Sequence, residues 1–476
     1  MSIDATVLSK RSMAEAGDDP RRWFALPVLL TGAFLPVLDF NVVNLALPAI
    51  RQDLRATSSD VQFVMSAYAA TYAVFLITGG RLGDWLGRKR MFVTGITGFT
   101  LASILCGLAW SPSVLIAGRI LQGLTATVMA PQVLASIRVL FRGDEQVKAL
   151  ALYGATFGFA NVTGQILGGV LVASHPFGLA WQAIFLINVP IGIAALAGSF
   201  LFLSNSRADQ AQKLDIGGVV LLSATLGLLV YPLVQGRESG WPVWTVAMLV
   251  LSPVMLAAFI RFERRLMAQG GSPLVDLSLF RLPGFATGTA MALVFYMLAS
   301  FYLTFSVYLQ GGLHLTPLDA GLRMLPFAIG YFAASFASAA IMQRLGPRAL
   351  TLGFAVQIAG FGAVIASVLE ARPTDVGVAL LIAGVGFGIV FPSVIKAVVG
   401  GIDPRHAGLA SGIVISTFQI GAALGVAIIG GVFFAVLGTA PEAASYAHAF
   451  AVALGCNVAQ LIVGALLSLR LPKGQP

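Results

Sequence analysis

Two ionisable residues stand deep inside apolar runs, Asp39 and Arg119. Each costs roughly 2.5–3.5 kcal/mol to place at the centre of a membrane helix, so each needs a partner or a water-filled cavity. A carboxylate in a low-dielectric cavity has its charged form disfavoured, which is what a proton carrier requires. A guanidinium keeps its proton, so Arg119 would act by tuning a neighbouring acid. Plainer readings stand beside these: Asp39 as a hydrogen-bonded helix pin, Arg119 as a tie between helix ends or to carbonyls. No second acid is evident in 285–310 or 349–369, so Asp39 is expected to recognise cations. Asn161, Thr163 and Gln165 form a polar group in one run. Tyr68, Tyr72 and Phe75 share one side of another at helical spacing, and Tyr296, Phe301, Tyr302, Phe305 and Tyr308 crowd a third. Aromatic walls suit flat lipophilic or cationic ligands through stacking and cation–π contact; lipid contact and core packing are the alternative. Four scattered histidines, His175, His314, His406 and His448, lack metal-ligand spacing, so no metal is expected.

The elements that carry these residues are long and apolar. Of 476 residues, 58% are hydrophobic and 10% charged, against about 25% charged in a soluble chain. Lipid or other helices must solvate most of the chain. Breaks at charged or Pro/Gly-rich points predict fourteen helices: 24–46, 61–80, 91–110, 113–137, 146–173, 180–203, 215–235, 243–261, 285–310, 318–342, 349–369, 375–399, 407–437 and 446–469. Each approaches the ~20 residues needed to cross a bilayer. The first follows a polar tail and is read as a retained span, not a signal peptide. Cys106 and Cys456 lie within runs and imply no disulfide. Of the 29 Lys and Arg, 23 fall on one face and 5 on the other, with Arg119 inside a span. That bias makes the basic face cytoplasmic, holds both termini there, and explains the net charge of +9 without nucleic acid. The densest basic point is the turn Gly80-Arg81-Leu82-Gly83-Asp84-Trp85-Leu86-Gly87-Arg88-Lys89-Arg90, where Asp84 is expected near a helix start.

The chain reads as duplicated. Gly154, Gly158, Gly164 and Gly168 in 146–173 answer Gly408, Gly412, Gly421 and Gly425 in 407–437. Four-residue glycine spacing lets helix backbones approach closely. The organisation expected is a tail 1–23, a six-helix bundle 24–203, a linker 204–284 with two extra helices, a second bundle 285–469 and a tail 470–476. Two such bundles would rock about a central site.

The basic turn resembles the signature loop of the major facilitator superfamily, Gly-x-Leu-x-Asp-x-x-Gly-Arg-Lys/Arg. Further stretches are similar to the fourteen-span drug:proton antiporters of the QacA/EmrB type. They are Leu38-Asp39-Phe40-Asn41-Val42-Val43-Asn44-Leu45-Ala46-Leu47-Pro48, Gly118-Arg119-Ile120-Leu121-Gln122-Gly123, Gly164-Gln165-Ile166-Leu167-Gly168-Gly169, Trp181 to Gly192, and Leu214-Asp215-Ile216-Gly217-Gly218. Three positions depart from the pattern: Asn41 for Thr, Gln165 for Pro and Gln182 for Arg. The resemblance implies an all-α polytopic membrane protein with the major facilitator fold. It makes Arg119 part of proton coupling and Asp39 a cavity residue in the outer half, with Asn41, Asn44, Gln122 and Gln165 around them. It makes Gly80, Asp84, Gly87, Arg88 and Lys89 a latch between the bundles.

The function expected is proton-coupled efflux of lipophilic or cationic compounds by alternating access, in the cell membrane. Small-molecule substrates, protons and the bilayer are the partners. A monomer is expected, with accessory export proteins left open. A permease or exporter for one metabolite or siderophore is the first alternative, and a polytopic membrane enzyme the second. No phosphate-cradling loop with its lysine is present, so neither ATP coupling nor another cofactor is expected.

Overall fold

In the computed structural model the described residues are 22–471, except 205, 207–213, 283, 371–375, 400–406 and 439–441. The expected tail cations Lys10, Arg11, Arg21 and Lys473, the loop cations Arg207, Lys213, Arg372 and Arg405, and His406 lie outside them. Fourteen helices among the described residues are long and apolar enough to cross a membrane. They are α1 Arg22–Asp53, α2 Ser58–Leu86, α3 Arg88–Gly107, α4 Pro112–Leu140, α5 Gly143–Ser174, α6 Gln182–Phe202, α7 Ile216–Glu238 and α8 Val243–Ala268. Then follow α9 Phe285–Gly312, α10 Pro317–Leu345, α11 Arg348–Leu369, α12 Val376–Val399, α13 Ala407–Leu437 and α14 Ala443–Ser468. Lipid offers no partner to a free N–H or C=O, so helix is the form such runs must take; α6 is interrupted at Ile187, and α9 at Met297–Leu298 before it ends in a π-helical turn, Tyr308–Gly312.

Helix ends follow local chemistry. Thr57 and Asp60 form a reciprocal capping box that starts α2. Ser111 accepts from the Val114 amide at 3.3 Å and Pro112 opens α4. The basic turn is shorter than its sequence implies. Helix α2 continues through Arg81, Asp84 and Leu86, and a single residue, Gly87 at φ 107°, separates it from α3. Arg, Leu, Trp and Asp are tolerated in a helix, whereas this backbone angle requires glycine. Asp84 therefore sits in the last turn of α2 and not at a helix start. The helix dipole disfavours a carboxylate there, and Arg88 offsets it with an ion pair at 3.2 Å.

Helices α1–α6 pack together as one bundle and α9–α14 as a second. In the first, α5 lies on α1. A methyl at Gly164 would stand 2.6 Å from Asn41 Cβ, and one at Gly168 3.1 Å from Val42 Cα. In the second, α13 lies on α9 in the matching way. Methyls at Gly421 and Gly425 would stand 2.4 Å from the Leu293 oxygen and 2.0 Å from the Met297 oxygen. Gly158 instead meets Phe332 of α10, in the other bundle, at 2.4 Å. Gly154 meets nothing within 4 Å, so it is not a packing glycine. Around the helix Gly154 lies within about 80° of Gly164 and Gly168, but about three turns nearer the basic end it faces the open cavity instead of a neighbouring helix.

The bundles meet along two seams, α2 with α13 and α5 with α10. The inserted pair is central in the chain but peripheral in space. Helix α7 packs on both α2 and α13, and α8 packs on α7. Ser59 of α2 ties the pair down. Its hydroxyl donates to the Val234 oxygen at 2.9 Å and its amide to Glu238 at 2.8 Å. At the basic end, Arg81 donates to the carbonyls of Ser272 (3.0 Å) and Pro273 in the segment that leads to α9. Asp215 accepts from the Leu274 amide at 2.9 Å and Glu263 from the Val275 amide at 3.1 Å. A methyl at Gly218 would lie 2.3 Å from Glu263 Oε1 and 2.4 Å from Asp215 Oδ2, so the two carboxyl groups converge on one point.

Candidate functional site

A cavity of about 1100 Å³ lies between the bundles. Its inner end is walled by Tyr68, Tyr72, Tyr296, Tyr302 and Tyr331, with Asn41 beside them. Its mouth is at the basic face, where Gly80, Arg81, Asp84, Arg88 and Arg138 line it. The opposite face is closed by bonds between bundles. The Ser306 hydroxyl donates to the Asn44 carbonyl at 2.7 Å, and Gln310 donates to the Leu45 carbonyl at 2.8 Å. Gly169 lies against Leu318, and Gly321 against the Gln165 carbonyl. The molecule is open on its basic side and shut on the other.

The aromatic expectation separates along α2 and α9. Tyr68, Tyr72, Tyr296 and Tyr302 reach the cavity. Phe75 does not, and Leu76 takes its place in the lining. Phe301, Phe305 and Tyr308 turn into the second bundle, where they stack with Phe327, Phe361 and Phe450. Aromatic content marked α9, but it did not say which rings face inward.

Asp39 is not in the cavity lining. It is fully buried behind it, paired with Arg119, which is also fully buried. Gln122 Nε2 donates to Asp39 Oδ1 at 3.0 Å and Asn188 Nδ2 to the same oxygen at 3.1 Å. Both amides also donate to Ser103 Oγ. Arg119 donates to Gln122 Oε1 at 2.8 Å and to the Val64 carbonyl at 3.0 Å. This cluster joins α1, α2, α3, α4 and α6, so the pin and tie readings describe its geometry. Two buried charges of opposite sign satisfy each other better than either would alone. That is why the carboxylate turns away from the cavity. Tyr68 separates the two compartments. Its ring lies 4.3 Å from the Arg119 guanidinium carbon, within cation–π range. Its hydroxyl bonds the Pro36 carbonyl at 3.3 Å.

The expected polar group on α5 also divides. Asn161 lines the cavity. Gln165 donates to Asn41 Oδ1 at 3.1 Å, and Asn41 donates to the Val37 carbonyl at 2.7 Å. Thr163, two residues from each and so about 200° round the helix, points elsewhere. Asn44 spends its amide on the Phe40 carbonyl at 2.8 Å and does not reach the cavity. The expected latch residues stay within the first bundle. Asp84 bonds Arg88, the Arg88 amide donates to the Ser206 carbonyl at 2.9 Å, and Lys89 donates to the Leu203 carbonyl at 2.5 Å. With the mouth open they make no bond to the second bundle among the described residues.

Sequence reasoning missed Ser103, Asn188, Ser306 and Gln310. Asn188 lay within a quoted stretch, but nothing marked the other three. Removing the closure with Ser306→Ala and Gln310→Leu together is expected to favour the state open on the other side. Two neutral hydrogen bonds at about 1 kcal/mol each permit up to roughly a thirtyfold shift. Spin-label distances between Arg55 and Leu313 positions would report it, and an unchanged distance distribution would refute the assignment.

Comparison with known proteins gives the same picture. The family model described as Major Facilitator Superfamily matches residues 29–426. A probable actinorhodin transporter of Streptomyces coelicolor is 38% identical over 434 residues, 89% of this chain and 75% of that protein. A puromycin resistance protein of Streptomyces alboniger is 34% identical, over 98% of this chain and 94% of that one. A tetracenomycin C resistance and export protein of Streptomyces glaucescens is 32% identical, over 86% and 76%. The solved structure of a bacterial homologue of the human lysosomal transporter Spinster, inward-facing and unoccupied, superposes with a TM-score of 0.67 at 16% identity. It covers 95% of this chain and 97% of that one.

Proposed function

The chain belongs to the Major Facilitator Superfamily, and from that footing we propose that it is an efflux transporter that exchanges lipophilic drug-like compounds for protons across the plasma membrane. The efflux assignment follows from the relatives, several of which are antibiotic resistance and export proteins. The single observation that carries alternating access is the cavity between the bundles, open on the basic side and closed opposite, which is one end state of that cycle. With that side cytoplasmic, as the distribution of cations favours, a compound loads from the cytoplasm and leaves after the bundles rock. Both termini are then cytoplasmic.

In this reading the Asp39–Arg119 pair couples the proton. Protonating Asp39 removes the countercharge of a guanidinium whose Nη2 already lacks an acceptor. Arg119 must then re-pair, and it moves against the Tyr68 ring that forms the cavity wall. Gln122 and Asn188 hold the carboxyl group for exchange. Gly80, Asp84, Gly87, Arg88 and Lys89 form the latch that engages the second bundle when the mouth closes. The chain is read as a monomer without cofactor or catalytic chemistry.

Proteoliposomes with an imposed pH gradient test the reading. Aromatic lipophilic compounds are expected to accumulate with the gradient and to stop when a protonophore collapses it. Transport of none of a broad panel, or transport indifferent to the gradient, would overturn the exchange mechanism.

A further inference from the structure

The charges around the cavity point away from the cations that Asp39 suggested. Among the described residues Asp84 is the only carboxylate in the lining, and it is bonded to Arg88. Arg81, Arg88 and Arg138 are also in the lining. Arg81 gives its donors to linker carbonyls. Arg138 is exposed at the mouth and makes no ion pair among the described residues. Asp39 lies behind Tyr68 and is neutralised by Arg119. The inner end therefore carries no charge, and the mouth carries an excess of positive charge.

The inner end is rich in donors instead. The hydroxyls of Tyr72, Tyr296, Tyr302 and Tyr331 have no protein partner among the described residues, although all four side chains are in the lining. A phenol hydroxyl donates well to a carbonyl, and better to a phenolate or carboxylate oxygen. Tyrosine faces would also attract a cation. That attraction does not replace the water a cation loses on entering a site without a free carboxylate, and the arginines at the mouth repel it.

Building on the efflux reading, we propose that this cavity selects flat aromatic compounds that are neutral or anionic and carry carbonyl or phenolate oxygens. The tyrosine hydroxyls donate to those oxygens, and Arg138 supplies the countercharge for an acidic group.

Fluorescein and rhodamine 123 share a xanthene skeleton and have opposite charge at neutral pH. Their binding to the purified full chain in a non-ionic detergent, followed by fluorescence polarisation against empty micelles, decides the matter. Fluorescein is expected to bind at least about tenfold more tightly. Arg138→Gln is expected to weaken fluorescein about three- to fivefold, and Arg138→Lys to restore it. Rhodamine 123 bound as tightly as fluorescein, or more so, would overturn the charge assignment alone. Fluorescein binding unmoved by Arg138→Gln would remove Arg138 from the site. Failure of both dyes to bind the intact protein would overturn this selectivity together with the ligand-binding reading of the cavity.

Discussion

Asp39→Asn is expected to leave Arg119 as an unpaired charge inside five packed helices, and to cost about 3–5 kcal/mol of stability. Both residues are wholly buried, and the asparagine can keep the bonds from Gln122 and Asn188 only in part. The same holds in reverse for Arg119→Ala, which strands the carboxylate. The double variant Asp39→Asn with Arg119→Gln removes both charges. It is expected to recover most of the lost thermal stability in detergent, yet to remain inactive in pH-driven transport. A pin without a coupling role would return activity along with stability. Recovery of transport in the double variant would therefore leave the pair a purely structural device.

Gly425→Val should be nearly as damaging, for a different reason. A Cβ there would stand 2.0 Å from the Met297 oxygen and 2.6 Å from its carbonyl carbon. Backbone cannot swing aside as a side chain can, so α13 must part from α9 along its length. Overpacking of this kind costs typically 1–3 kcal/mol for a modest insertion, and a branched side chain on a backbone contact lies at or above that range. Gly154→Ala supplies the control, since its Cβ enters open space. Gly425→Val is expected to abolish recovery of folded protein, measured by monodisperse yield in detergent. Gly154→Ala should leave yield and melting temperature within error. Similar yields for both would show that the α9–α13 contact is not the tight one described.

The fourteen spans were legible because lipid permits so few forms for an apolar run. Helix ends were less so. Arg81 and Asp84 looked like loop residues because they are charged, yet a charge at the membrane face does not break a helix, and only Gly87 does. The duplication was legible in Gly164, Gly168, Gly421 and Gly425, where spacing and contact agree. The glycines at the basic ends were harder, because Gly154 shares the spacing without the neighbour. The site was the least legible part. Asp39 and Arg119 stand 80 residues apart, and no periodicity says that two embedded charges meet. Each could be priced singly, and the price of each implied a partner. The identity of that partner is a property of how α1 and α4 cross. Glu263 was hidden more completely, since Arg261, Arg264 and Arg265 around it read as an ordinary solvated helix end. Its buried place beside Asp215 depends on the fold of the linker.

Helix α7 lies over the line where α2 and α13 meet, and α8 lies outside it. On the other line, Phe159 of α5 and Ile329 and Phe336 of α10 remain largely exposed. The two sides of the molecule are therefore unequal as doorways. A greasy compound does not wait in water; it dissolves in the leaflet and diffuses sideways. One flank is shuttered by the inserted hairpin, and the line between α5 and α10 is the one left uncovered toward the oil among the described residues. The extra pair makes a symmetric machine one-sided toward its own membrane.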